Sequence, residues 1–409
     1  MDFELTNRIH QRLVAGRARQ FGFVKDLVRI GSENPPGNGA AIAGRVAQEL
    51  KALEFGVAQH RVPNELAAGH GVANAVNLVA RQVFGAGNVV ALAAHGDTRT
   101  VGDGWTVDPF AATIKAGVMT GLGVLAKADI AAYAYALAAL TGAKPELAGT
   151  VELHVSFDGE SGGELGPKWL LDNGIVNPDY AIGSGLAYGI GTSALGDLQM
   201  EVAIAGPRGA KGQAGADAME AAGRVINALY RERDGLAAVQ SKVPGIGAPT
   251  LLIGEIEGGR RPDQPADKVT FRLVRRLLPD EAPAAVERAL TRLIAETASG
   301  AAGIVCRIRR LKLMAPMKPM AGAGRLAETL TRQASRAAGR AVAEYGVAFD
   351  AEARHYAARG IPTVLYGAGP ANAADANMGG ADERLVLDDL RLATEVVALT
   401  LAEFLAPAG

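Results

Sequence analysis

Two apolar runs that each end in a polar tip constrain the fold of this chain most strongly. NVVALAAHGD (88–97) and GTVELHVSFDGE (149–160) are patterns of buried strands, and each closes on acidic residues. Between them, ADIAAYAYALAAL (128–140) is rich in alanine and contains no helix breaker. Strands that alternate with helices in this way predict an α/β fold with a mixed, mostly parallel sheet flanked by helices.

The pattern changes from about Leu198. LQMEVAIAG and KVTFRLVRRL alternate apolar and polar residues, as half-buried strands do, and two helical stretches accompany them. After residue 314 the alternation of helix and strand returns. We therefore expect a catalytic-type α/β domain of residues 1–197 and 315–409, with an inserted, smaller α+β lid or dimerisation domain of residues 198–314.

Composition argues against several classes of function. The chain has 409 residues, and 42 Lys and Arg nearly balance 43 Asp and Glu, so a basic surface for nucleic acid is not expected. Cys306 is the single cysteine and cannot form an intramolecular disulfide; we expect it to be a buried strand residue. No stretch has the pattern of a signal peptide or a membrane span, and a cytoplasmic protein is expected.

The polar tips are the expected place for chemistry, because ligands of open parallel sheets bind at the carboxyl ends of the strands. His95 and Asp97 stand two residues apart at the first tip, as do Asp158 and Glu160 at the second. Residues two apart on an extended strand face the same way, so Asp97 can bond the second ring nitrogen of His95 and orient it as a ligand.

These tips and other segments resemble the motifs of a known family. AHGDTRTVGDGWTVDPF resembles a His-x-Asp strand end followed by Trp and Asp-Pro-Phe, and FDGESGGELG resembles an acidic triplet. SENPPG resembles the family's N-terminal turn, and GIPTVLYGAGP with DERLVLDDL resembles its last strand and closing acidic motif. The family is the dinuclear zinc aminoacylases, which include acetylornithine deacetylase, succinyl-diaminopimelate desuccinylase and carboxypeptidase G. The resemblance extends along nearly the whole chain.

Two central residues of the family's site are absent. The resemblance implies an aspartate that bridges two zinc ions after Gly-x-Gly, but GLGVLAKAD places Ala126 or a neighbour there, with Asp129 three residues later. Gly159 replaces the glutamate that acts as general base. Two metal ions close together need a bridging ligand to offset their repulsion, so the standard two-metal mechanism is not expected.

Two further ligand positions also depart from the family pattern. The acidic ligand expected after DYAIG is Ser184 or Gly185, and the histidine expected before DE is Gly379 or Met378. What remains implies one divalent ion, Mn²⁺ or Zn²⁺, held weakly.

His95 and Glu160 are the predicted ligands of this ion. In the family they correspond to ligands of different metals, and a single ion could use both. Asp158, Asp129 or Asp375 would complete a set of nitrogen and oxygen ligands.

Catalytic roles are predicted for Asp97, which orients His95, and for Asp158, which stands in for the missing base. Arg354 matches a family position near the substrate and would hold a substrate carboxylate.

Arg208, or alternatively Lys211, is a second candidate for binding the substrate, from the inserted domain. A charged side chain of a solvent-exposed loop is the more common role for such a residue. For His355, next to Arg354, we expect a surface histidine rather than a ligand or base.

The function expected from these residues is metal-dependent hydrolysis of a C–N bond in a small carboxylate-bearing molecule. Deacylation and hydrolytic deamination, including that of an aromatic amine, both remain open. The alternatives are a catalytically silent binding or regulatory protein and a metal-free lyase or cyclase. The resemblance also implies a homodimer or higher homo-oligomer, formed through the inserted domain.

Overall fold

The computed structural model describes residues 3–207, 217–261, 264–300, 303–349 and 351–407. The helices are α1 (Phe3–Arg29), α2 (Ala40–Ala52), α3 (Asn64–Gly69), α4 (Val124–Gly142), α5 (Pro167–Asp172), α6 (Ala218–Leu236), α7 (Pro283–Ser299), α8 (Gly324–Ala338), α9 (Arg354–Ala358) and α10 (Leu387–Phe404). The strands are β1 (Val57–Arg61), β2 (Val76–Val83), β3 (Val89–His95), β4 (Thr113–Lys115), β5 (Val118–Thr120), β6 (Thr150–Ser156), β7 (Tyr180–Gly183), β8 (Ile190–Ala194), β9 (Gly196–Ala205), β10 (Leu251–Gly258), β11 (Lys268–Leu277), β12 (Val305–Met314), β13 (Glu344–Val347), β14 (Thr363–Leu365) and β15 (Arg384–Val386).

An eight-stranded sheet in the order β1-β2-β6-β3-β7-β14-β8-β13 forms the centre of the larger part of the chain. Its middle strands β6, β3, β7 and β14 run parallel to one another, and antiparallel neighbours flank them on both sides. The sheet is therefore mixed with a parallel centre, and the predicted α/β class is confirmed. Strand β6 is buried along its whole length, as expected of a strand covered by helices on both faces.

Helix α4 packs in the core beside this sheet. Fifteen of its residues are buried, including Ile130, Tyr133 and Leu137. Among the helices of the described residues it alone is long and apolar enough to cross a membrane, yet most of it is buried inside the protein. A core helix accounts for this composition, because a helix that is apolar on every side is buried in a large domain or in a membrane.

The chain divides into two compact units. One comprises residues Met1–Thr192, Pro319–Tyr345 and Ala351–Gly409, and the other comprises Ser193–Lys318 with Gly346–Asp350. The second unit holds an antiparallel sheet in the order β10-β11-β9-β12, with helices α6 and α7. In β9 the buried residues Leu198, Met200, Val202 and Ile204 alternate with more exposed ones, so one face of the sheet forms the core of this unit.

Several boundaries of the elements differ from the sequence patterns. Strand β14 occupies only Thr363–Leu365 of TVLYGAG, although Tyr366 N still donates to the carbonyl of Gly183 in β7 at 2.9 Å. Cys306 lies on β12 at the edge of its sheet and is only partly buried, so the expected buried position is not observed.

Candidate active site

The two polar tips meet at one edge of the central sheet. Strands β3 and β6 are parallel neighbours, and their register pairs His95 with Ser156 at the carboxyl ends of both. The residues that follow each strand therefore share one site, which lies within the first unit. Its members come from the ends of β3 and β6, from the start of α4, and from residues before α9 and β15.

Asp97 is the most heavily bonded side chain of the site. Its carboxylate accepts hydrogen bonds from His95 Nδ1 at 2.9 Å, Asn34 Nδ2 at 3.1 Å, and the backbone N–H groups of Gly159 and Glu160 at 2.9 and 3.0 Å. Burial alone would raise the pKa of Asp97, but the bonds from His95, Asn34 and Glu160 lower it below the ordinary value. Asp97 is therefore a fixed anion.

His95 is held in one orientation by this anion. Nδ1 faces Asp97, and Nε2 has no hydrogen-bond partner among the described residues. Burial would lower the pKa of His95, but the bond and charge of Asp97 raise it to about 10. The imidazole is thus an imidazolium at neutral pH, with its second N–H available to another molecule.

Gly159, in the place of the expected general base, is in close contact with His95. A Cβ added there would lie 2.3 Å from His95 Cγ, a distance that no side chain can tolerate. The ring of His95 therefore occupies the space that a side chain at position 159 would need. The absence of a side chain at position 159 is therefore what allows His95 to lie where it does.

Asp158 and Glu352 are two buried carboxyl groups that share this region. Asp158 Oδ2 accepts a hydrogen bond from Leu165 N at 2.6 Å, while Oδ1 has no partner within the described part of the chain. Burial, with the nearby charges of Glu352 and Asp97, raises the pKa of Asp158 to about 8. At neutral pH Asp158 therefore carries a proton and is a donor, whereas the predicted role was that of a base.

Glu352 was not predicted from the sequence. It accepts a hydrogen bond from Ser156 Oγ at 2.8 Å, and burial raises its pKa above the ordinary value despite the opposing effect of His95. Glu352 lies just before α9 and reaches the end of β6 only because the folded chain brings these two elements together. In the sequence EARHY, the predictions concern only the arginine and the histidine.

Glu160 is paired with a cation of the protein. Arg99 Nε donates to its carboxylate at 3.0 Å, and a Cβ at Gly379 would lie 3.6 Å from the same guanidinium. Arg99 thus lies between Glu160 and the position where the resemblance expects a ligand histidine. The side chain of Arg99 is 58% exposed, so it remains accessible to solvent.

Arg354 and His355 are buried and bind the loop that contains Gly162, so they are not exposed at the site. Arg354 donates to the carbonyl of Gly162 and lies 3.6 Å from Glu164, and only 6% of the residue is exposed. His355 Nε2 bonds the same carbonyl at 2.8 Å. The expectation of a surface histidine is wrong: His355 is buried, and burial lowers its pKa to about 3. Arg208 and Lys211 lie outside the described residues.

Lys127 and Glu383 are further buried ionisable groups near the start of α4. Lys127 is fully buried and donates to the carbonyl of Ile30 at 3.3 Å. Burial lowers its pKa to about 8, although Glu383, Asp97 and Glu33 act in the opposite direction. Neither group was predicted to belong to the site, and Lys127 lies in a helix that is otherwise mostly apolar.

Glu383 accepts bonds from the backbone N–H groups of Leu125, Gly123 and Gly379, at 3.0, 3.3 and 3.2 Å. It therefore satisfies two of the donors that the start of α4 leaves without partners. Burial raises the pKa of Glu383 to about 7.

The donor groups do not fit a metal ion. Among the described residues, no cluster of three or more His, Cys, Asp or Glu side chains is arranged to hold one. His95 is bonded to Asp97, and Glu160 to Arg99. Asp129, a candidate to complete the set, instead accepts a hydrogen bond from Ala368 N at 2.6 Å, and burial raises its pKa to about 7. The predicted single ion on His95 and Glu160 has no matching arrangement here.

Gly159→Ala tests the close contact with His95. We expect a loss of about 1–3 kcal/mol in the free energy of unfolding, because the methyl group must displace the ring or the loop. Urea denaturation measures this loss, and NMR of the imidazole reports the displacement of His95. The control is Gly44→Ala on the exposed face of α2, where nothing lies within 4 Å and alanine should stabilise the helix by about 0.5–1 kcal/mol. A Gly159→Ala protein as stable as the parent would contradict the contact.

Asp158→Asn tests the protonation of the buried carboxyl. Because its pKa is about 8 when folded and near 3.8 when unfolded, ionisation favours the unfolded chain, and Asp158 destabilises the fold increasingly from pH 4 to pH 8. The neutral amide removes this effect, so the variant should be more stable than the parent by at least about 1 kcal/mol at pH 7 and by less at pH 4.5. Thermal unfolding at both pH values measures it, with the exposed Asp103→Asn as control. An equal effect at both values would refute the raised pKa.

Comparison with known proteins relates this site to a family. The family model described as Peptidase family M20/M25/M40 matches residues 91–403. A succinyl-diaminopimelate desuccinylase of Acidiphilium cryptum is 34% identical over 150 residues, which are 36% of this chain and 36% of that enzyme. The matched segments thus span well under half the length of the curated relatives.

Solved structures share the fold over nearly the whole chain. Human carnosine dipeptidase 1 superimposes with a TM-score of 0.78 at 16% identity, covering 98% of both chains. A Bacillus subtilis protein described as a dinuclear metal binding peptidase of the M20 family superimposes with a TM-score of 0.65 at 16% identity, covering 96% of this chain and 98% of the other. These likenesses show the fold alone. Because the family model spans well over half of the chain, the protein belongs to Peptidase family M20/M25/M40, whose members are metallohydrolases acting on amide C–N bonds.

Proposed function

We propose that this protein hydrolyses an amide-type C–N bond in a small molecule that bears a carboxylate. The observation that carries this proposal is the His95–Asp97 pair, bonded at 2.9 Å at the carboxyl end of β3. Family membership supports the reaction class. The names of two similar proteins, a desuccinylase and a dipeptidase, support a substrate that contains both an amide bond and a carboxylate.

The pair provides what the leaving group of an amide requires. An amine leaves only if its nitrogen gains a proton, and an oriented imidazolium can donate one. Asp97 fixes the ring through Nδ1, so Nε2 is the donor, and Asp97 stabilises the charge while His95 holds the proton. The protonated Asp158 nearby offers a second donor.

The carboxylate of the substrate needs a cation that solvent can reach. Arg354 was predicted for this role, but it is buried against Gly162. Arg99 is more than half exposed beside Glu160, so we assign the contact to Arg99. Its planar guanidinium can hold a carboxylate through two parallel hydrogen bonds.

Substrate screening with His95→Ala tests the proposal. Release of primary amine is measured from N-acetyl and N-succinyl amino acids and from dipeptides, and release of ammonia is measured from aminobenzoates. We expect one of these classes to be hydrolysed and His95→Ala to lower the rate by at least about 100-fold, the usual contribution of a positioned acid or base. His70→Ala, at an exposed histidine after α3, should retain activity.

Two outcomes would reject this function. A hydrolysed substrate whose turnover is unchanged in His95→Ala would place the chemistry elsewhere. If no class of substrate is cleaved while a carboxylate ligand binds in calorimetry, the binding or regulatory alternative replaces the hydrolase.

We also propose a homodimer formed through the second unit. Within the described part of the chain the edge strand β10 pairs only with β11, and its residues Leu252 and Ile256 are 60% and 54% exposed. An open edge with exposed apolar residues favours pairing with another strand, and a second copy of this chain would cover it.

Light scattering at micromolar concentration tests this assembly. The parent should have the mass of a dimer, and the double variant Leu252→Lys/Ile256→Lys should have that of a monomer, because two buried ammonium groups would oppose the pairing. Val83→Lys introduces the same charge at an exposed end of β2 and should leave the dimer intact. A monomeric parent protein would refute the proposal.

A further inference from the structure

We propose that the ammonium of Lys127 and the guanidinium of Arg99 supply the positive charge that metal ions supply in dinuclear relatives, so that this site works without a metal. The Bacillus subtilis relative is described as binding two metals, whereas the side chains here do not fit one. The inference goes beyond the proposed reaction and holds whether or not the substrate is an amide.

Arg99 occupies one of the two places. Its Nε lies 3.0 Å from Glu160, the carboxylate predicted to bind metal, and the same guanidinium lies 3.6 Å from where a Cβ of residue 379 would stand. A histidine ligand at position 379 would meet the guanidinium, and Glu160 already has a counterion. Arginine is suited to this place because its charge is permanent and its fork matches a carboxylate.

Lys127 is the second cation, and its ammonium donates to the carbonyl of Ile30 at 3.3 Å. It follows Ala126, the position at which the resemblance expects the bridging aspartate, and its side chain is fully buried. A buried ammonium is costly unless anions surround it. The carboxylates that act on it come from three segments: Glu33 after α1, Asp97 after β3, and Glu383 before β15.

The carboxylates of the site that could bind a metal ion already have protein partners. Asp97 is bonded to His95, Asn34 and the backbone of residues 159 and 160, and Glu160 is bonded to Arg99. Glu383 accepts three backbone N–H groups. A divalent ion would have to displace these partners and would add two positive charges beside Arg99 and the buried Lys127. Like charges in a buried site repel strongly, so binding of the ion is disfavoured.

The first test measures metal binding by the unmodified full-length protein. Elemental mass spectrometry of protein purified without chelator should find far less than one equivalent of zinc or manganese. Addition of Zn²⁺, Mn²⁺ or EDTA should leave the melting temperature unchanged, because a ligand that binds only the folded state would raise it. One or more tightly held ions per chain, or a melting temperature raised by either metal, would overturn the inference.

The second test is Lys127→Met, which removes the charge but keeps the length of the side chain. If the ammonium of Lys127 pairs with Glu383, its removal should be less favourable to the melting temperature at pH 7.5, where Glu383 is largely ionised, than at pH 5, where Glu383 is protonated. Lys115→Met, on the exposed strand β4, should show no difference between the two pH values. A change of equal size at both pH values would mean that Lys127 only fills space, and would overturn its assigned role.

The proposed hydrolase function and the proposed metal-free site can be rejected independently of each other. Metal content and melting temperature are measured without a substrate, so a protein that lacks hydrolase activity can still confirm a metal-free site. If a substrate is found, its turnover should be unchanged by EDTA. An active enzyme that loses activity on chelation would keep the proposed function and reject this inference.

Discussion

The carboxylate of Asp97 is the interaction on which the site depends. It links three parts of the chain that are distant in sequence: Asn34 after α1, His95 at the end of β3, and the N–H groups of Gly159 and Glu160 after β6. Each bond to an ionised acceptor is stronger than one between neutral groups. Because one buried anion satisfies all four donors, the loop after β6 and the imidazole cannot shift independently.

This arrangement explains the protonation of the neighbouring groups. A fixed anion at Asp97 favours the charged form of His95 and disfavours a second anion at Asp158. The result is a set of oriented acids rather than the base and ligands that the motif suggests. The pKa values of His95, Asp97 and Asp158 depend on the burial of these side chains. Their burial in turn depends on how β3, β6 and α4 pack together.

The sequence predicted the architecture and the location of the site better than its chemistry. The apolar runs of β3 and β6 with their polar ends were sufficient to place His95 and Asp158 at the carboxyl ends of strands in one sheet, and the structure shows that these two strands are neighbours. Lys127 could not be found in this way, because an isolated lysine in a mostly apolar helix has no periodicity to reveal its neighbours. Glu352 reaches Ser156 across 196 positions of sequence, and the burial of His355 likewise depends on tertiary packing.

The departures from the family pattern depend on one another. The ring of His95 fills the space of a side chain at Gly159, and the guanidinium of Arg99 lies next to the space of one at Gly379. Restoring either family residue alone would therefore bring it into contact with a group that now has its own anionic partner, Asp97 or Glu160. A site that had merely lost its ligands would leave unpaired carboxylates, which are costly to bury. Here Asp97 and Glu160 each have a basic side chain beside them, His95 and Arg99, which indicates a site reorganised around different charges rather than one that has decayed.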